Sequence, residues 1–137
     1  MALAHTASEM IKGMSPRLRS GRFVFATTTD PDQAARLISE ALCIYREAEG
    51  LSLILPLALA SREGLACDLP MICITLEVFS ALQGVGLTAA VSAALAGQGI
   101  PCNMVAAYHH DHVFVPESHS GEAMRALIEL QAGQGGD

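Results

Sequence analysis

Hydrophobic and polar positions alternate most clearly from Met71 onward. Ile72, Ile74, Leu76 and Val78 fall on one side, and Cys73, Thr75 and Glu77 on the other. That two-residue period is the pattern of a strand with one buried face. Beyond a glycine-containing stretch, Leu87, Val91, Ala94 and Leu95 form a stripe at helical spacing, in a small-residue helix stopped by Gly97 and Gly99. Asn103 to Tyr108 and His112 to Pro116 read as two more strands joined by the polar turn His109-His110-Asp111. A last helix runs from about Ser120 to Gln131, with Ser120 as its cap and Glu122 in its first turn.

The earlier half carries a weaker echo of that order. Residues 7–14 predict a short helix whose Met10, Ile11 and Met14 share a face suited to covering a sheet edge, ended by Ser15-Pro16. Arg22 to Thr27 predicts a strand with Phe23 and Phe25 anchoring the core. Asp30 or Thr29 before Pro31 predicts a helix start, and the helix gives way to a strand near Leu42–Tyr45. Leu51 to Leu55 reads as a central strand, and a short helix from Leu57 to Glu63 stops at Gly64. Strand, helix, strand, strand, helix, read twice, predicts an α+β, ferredoxin-like architecture of antiparallel sheets with helices on one face. Neither half shows its own fourth strand, so the halves complete one another or subunits pair edge to edge. The expected division is a helical lead-in over 1–20, a first half over 21–68, a second over 69–132 and a flexible tail over 133–137.

Composition narrows the function classes. The formal charge is −6, Lys12 is the only lysine, and of the arginines only Arg17, Arg19 and Arg22 lie close together. That excludes a phosphate-backbone binder and makes nucleic acid an unexpected partner. The most apolar run, Leu51 to Ala60, is interrupted by Pro56 and too short to cross a bilayer, so no membrane is expected. Cys43, Cys67, Cys73 and Cys102 lack metal-site spacing, and Cys73 and Cys102 read as small buried hydrophobes of a cytoplasmic chain.

Two stretches carry candidate chemistry. In Ser80 to Thr88, Gly84 and Gly86 allow close backbone approach, and the unpaired N–H groups of the following helix favour an anion such as a carboxylate. A plain strand-to-helix turn capped by Ser80 accounts for the same residues. His109-His110-Asp111-His112 offers imidazoles and a carboxylate, so His110 and His112 are a weaker metal alternative. A hairpin stabilised by Asp111 explains that motif without a metal. No phosphate loop, nucleophile elbow, dinucleotide fingerprint or activated nucleophile is present, so no catalytic residue and no cofactor is assigned, and an enzyme is not expected.

The runs Gly86-Leu87-Thr88-Ala89-Ala90 and His110-Asp111-His112-Val113-Phe114-Val115-Pro116, with RFVFATT and REAEGLSLILP earlier, carry a resemblance. The sequence from Gly21 to about Leu130 resembles the ACT-domain-like family of small uncharacterised bacterial proteins with two ACT-like halves in tandem. It departs from the family at Phe79, Ala81 and Ser52, where histidine, serine and threonine are usual. The resemblance implies two interlocked halves and a small-molecule binding or sensory regulatory role, the ligand being an amino acid at their junction. It places the ligand at Phe79, Ser80, Gly84, Val85, Gly86, Leu87 and Thr88, with Glu47 and Glu49 offered to an ammonium group. A homodimer is the expected assembly, and an unidentified protein partner is possible. The alternative is an interaction module whose pocket no longer binds, as Phe79 and Ala81 would suit.

Overall fold

The computed structural model describes residues 6–78 and 86–135. The fold is α+β and ferredoxin-like, with antiparallel ladders and helices packed on one face. Two compact units are interlocked along the chain. One combines Met1–Ser20 with Ile72–Asp137, and the other, Gly21–Met71, is inserted between those parts.

The unit built from both ends holds helix α1 (Ala7–Gly13), strand β1 (Pro16–Leu18), strand β5 (Met71–Leu76), helix α4 (Leu87–Gly97), strands β6 (Asn103–Ala106) and β7 (Asp111–Pro116), and helix α5 (Ser120–Gly135). Its strands lie in the order β1-β5-β7-β6. Strand β1 is the missing fourth strand. It runs antiparallel to β5, pairing Pro16 with Leu76, Arg17 with Thr75 and Leu18 with Ile74. Two further bonds extend the ladder, Arg19 N–H to the Cys73 carbonyl at 2.9 Å and Glu77 N–H to the Ser15 carbonyl at 3.0 Å. Periodicity does not reveal a strand this short, opened by proline and carrying arginines at 17 and 19.

Ile72, Ile74, Leu76, Val113 and Val115 meet Met10, Ile11, Met14, Leu87, Val91, Leu95 and Leu127 in one core. Helix α1 therefore packs with helices rather than over a sheet edge. Its start is set by Thr6, whose hydroxyl accepts from the Glu9 N–H at 3.1 Å, and the Gln131 side chain donates to the Lys12 carbonyl near its end. Strand β5 corrects the expectation of one buried face: Cys73 and Thr75 are as buried as the isoleucines. It has ladder neighbours along both edges, and the residues on its second side are small. Helix α5 runs four residues beyond Gln131, to Gly135.

The inserted unit holds strand β2 (Phe23–Thr28), helix α2 (Pro31–Leu37), strands β3 (Cys43–Glu47) and β4 (Gly50–Pro56), and helix α3 (Leu57–Arg62). A 3-10 turn, Ile38–Glu40, replaces the last turn expected of α2. Strand β4 is central, pairing antiparallel with β3 on one side and β2 on the other. Val24, Leu53 and Leu55 of the sheet pack with Leu37, Leu59 and Ala60 of the helices. The expectation that Phe23 and Phe25 anchor the core holds for Phe23 and fails for Phe25. Val24 takes the helix-facing side of β2, so its neighbours turn to the other side, where Phe23 is buried but Phe25 is 46% exposed. Gly50, after the Ala48-Glu49 turn, is required by contact: a Cβ there would lie 3.0 Å from the Thr28 carbonyl oxygen.

The packing of α1 makes a prediction. Met14 is fully buried, and Met14→Ala should cost about 2–5 kcal/mol. Chemical denaturation would measure it, and a loss under about 0.5 kcal/mol, the range of a surface substitution, would show that the N-terminal segment does not belong to the core.

Candidate functional site

The best-defined part of the predicted ligand stretch is the start of α4. Phe79, Ser80, Gly84 and Val85 lie outside the described residues. Gly86 is the helix N-cap, in a left-handed conformation with φ of +111°, and among the described residues no side chain caps the helix. Leu87 is buried in the core, while Thr88 is exposed. The first turn has no acidic residue, and among the described residues its backbone donors meet no side-chain acceptor. Gly86 has a second reason to be glycine, which the sequence does not reveal. A Cβ there would sit 2.5 Å from the Cβ of Ala7, so α1 occupies the space beside it.

The corresponding helix of the inserted unit is sealed. The Asp30 carboxylate accepts from the Asp32 N–H at 3.0 Å, with Pro31 in the first turn. The Thr28 hydroxyl accepts from the Asp30 N–H and donates to Gln33 Oε1 at 2.7 Å. Gln33 and Arg36 both reach Glu63, Arg36 Nη2 lying 3.0 Å from Glu63 Oε1. Hydrogen bonds from Arg36 and Gln33 hold the Glu63 carboxyl below the usual carboxylate range. The acceptor an anion would provide is already supplied by Asp30.

Glu47 and Glu49 are both exposed on this unit, at the β3–β4 hairpin. Glu47 accepts a short hydrogen bond from the Ser52 hydroxyl across the ladder. That fixes one carboxylate on the strand.

The histidine motif departs from its expected geometry. Asp111 begins β7 instead of occupying the turn, which spans Ala107 to His110 and is closed by Ala107 N–H donating to the His110 carbonyl at 3.0 Å. His112 Nδ1 lies 3.0 Å from the Thr75 hydroxyl on β5. His110 Nδ1 donates to the Val78 carbonyl at 3.3 Å. Both imidazoles thus turn toward β5. Among the described residues no group of three or more His, Cys, Asp and Glu is placed to hold a metal ion. Burial lowers the His112 pKa, helped by the charges of His110, Arg19 and Arg17 and opposed by Asp111. Burial raises the Asp111 carboxyl, against the pull of His112 and His110. Thr75, Arg17 and Arg19 were not singled out from sequence; without β1, nothing there places the arginines beside Thr75.

Cys73 and Cys102 both have thiols pushed upward by burial, which disfavours the nucleophilic thiolate. Among the described residues no helix is long and apolar enough to cross a membrane.

Comparison with known proteins adds a family. Residues 5–71 match a model of the ACT domain, and residues 69–129 match a second ACT-domain model. A Vibrio cholerae protein of unknown function, described as a possible transport protein, is 37% identical over 89% of this chain and 93% of its own, with a TM-score of 0.79. An Agrobacterium tumefaciens protein aligns at 18% identity over 86% and 89%, with a TM-score of 0.64. The ligand-free regulatory subunit of aspartate kinase from Thermus thermophilus shares the fold at 12% identity, over 86% and 97%, with a TM-score of 0.65. No curated protein matches.

The geometry at Gly86 sets an expected outcome. Gly86→Ala should destabilise the protein by about 1–3 kcal/mol, because it adds a strained backbone and a clash. Adding Ala7→Gly should recover the clash and leave the backbone cost. Equal stability of Gly86→Ala and wild type in urea would contradict both.

Proposed function

The chain belongs to the ACT-domain family, with two ACT halves in one polypeptide, and from that premise we propose that it is a cytoplasmic regulatory protein that binds an amino acid. The paired family match carries this reading. It is supported by the nearly whole-length alignment of a regulatory subunit of aspartate kinase. The α-carboxylate of the ligand is received at the first turn of α4, by N–H groups around Gly86, Leu87 and Thr88. One ligand binds per chain, because Asp30 fills the equivalent place at α2.

A thermal-shift screen of the twenty amino acids tests this. At about one hundred times Kd a ligand adds about 2.7 kcal/mol of stability. Thr88→Glu is the informative variant, since a carboxylate in the first turn suits the helix but repels a carboxylate ligand. It should fold at least as stably as wild type and lose most of the ligand-induced shift, while calorimetry on wild type gives one site per chain. No shift with any amino acid at millimolar concentration would sink the reading.

An interaction role is favoured by one observation: Ile38, Ile44 and Tyr45 are exposed together, Tyr45 at 70%, on and beside the outer strand β3. An unpaired strand edge with apolar side chains is a template for pairing with another strand. In this reading the protein is a homodimer joined along β3. Ile44→Lys should then convert the dimer to a monomer by light scattering. A wild-type monomer, or a dimer that survives the substitution, would remove β3 as the interface.

A further inference from the structure

The histidines of the β6–β7 hairpin remain outside the ligand reading, and their geometry is specific. Two imidazoles, two positions apart and flanking Asp111, reach across to β5 at different levels. One meets the Thr75 hydroxyl within the strand, and the other the Val78 carbonyl just beyond its end. A carbonyl oxygen only accepts, so His110 Nδ1 carries a proton. The Thr75 hydroxyl can donate to an unprotonated His112 Nδ1. From this we propose that His110, Asp111 and His112 form a proton-sensitive clasp that fastens the β6–β7 hairpin to the end of β5 and loosens on acidification.

The surroundings decide the sign. Strand β1 places Arg17 opposite Thr75 and sets Arg19 beside Cys73. Arg17 is paired with Glu77 at 2.7 Å, while Arg19 adds its charge to the field at His112. Just beyond β5 the Glu77 carboxylate is engaged by Arg17, and within β5 burial keeps the Cys73 thiol protonated and neutral. Opposite His112 on β6 is Val105, which offers no charge. On β7 itself, Asp111 is the one group favouring a proton on His112, and His110 opposes it. A protonated His112 would stand half-buried near Arg17, Arg19 and His110, which all disfavour its charge, against Asp111, which favours it.

Because the folded-state pKa of His112 is depressed, the unfolded chain takes up the proton first. The clasp is intact above the ordinary histidine value of about 6.5 and weakens as pH falls from there toward the depressed value. Asp111 has the opposite sign. Its raised carboxyl binds a proton earlier in the folded state, which offsets part of the loss at more acid pH. The net effect is a fall in stability on first entering the acid range.

The test needs no ligand, so it stands or falls separately from amino-acid binding. Imidazole resonances of the wild-type protein would be followed by NMR through the pH range. His112 should titrate below the ordinary histidine value of about 6.5. Amide protection, corrected for intrinsic exchange, should fall about tenfold from pH 7.5 to 5.5 in β5 and β7, for each unit of depressed pKa sampled. Strands β2 and β4 of the inserted unit serve as controls and should change little. In His112→Asn, which can still bond Thr75 but does not titrate, the acid-dependent loss should disappear. A His112 that titrates at or above the ordinary histidine value of about 6.5, or protection lost equally in β2 and β4, would overturn the clasp. If the asparagine variant does not fold, the two wild-type measurements still decide the matter.

Discussion

Strand β5 is the constraint on which the longer-range part of the structure depends. Its isoleucines and Leu76 meet three helices drawn from both ends of the chain. Its edges are taken by β1 and β7. A strand buried on both faces cannot leave its N–H and C=O groups unpaired without a cost comparable to lost hydrogen bonds. The three residues Pro16–Leu18 are therefore more than a connection: with the flanking bonds at Ser15 and Arg19 they complete the ladder along one edge of β5. This is why a lead-in that looks peripheral in sequence belongs to the unit containing the last helix.

The two halves repeat a topology but differ in chemistry. In the first, an aspartate, a threonine, a glutamine and an Arg–Glu pair satisfy one another around α2. In the second, a glycine starts α4, and among the described residues no side chain accepts from its first turn. Duplication supplies two copies of a scaffold, and local polar residues make the two helix starts chemically different. The fold itself is indifferent to that chemistry.

Much of the architecture was legible in sequence. The alternation of Ile72, Ile74 and Leu76, the stripe through Leu87, Val91 and Leu95, and Asp30-Pro31 before α2 each mark an element by a local rule, and the structure contains all three. What stayed hidden depends on partners distant in the chain. The pairing of Arg17 with Thr75, the contact of Ala7 with Gly86 and the reach of His112 to Thr75 have no local periodicity to announce them. Phe25 shows the converse error, since an aromatic side chain in a strand suggests burial but strand register decides which side it occupies. At the candidate site, the glycine was legible, but its contact with α1 was not.

The insertion of one unit within the other also orders events in time. Met10, Ile11 and Met14 emerge early in synthesis, yet their packing partners include Leu127 in the final helix. Lys12 meets Gln131 across a separation of 119 residues. The inserted stretch Gly21–Met71 forms its ladders among its own residues, by shorter loop closures. The apolar face of α1 must therefore wait for α5 to be made before its packing is complete, while the inserted stretch is able to close on its own.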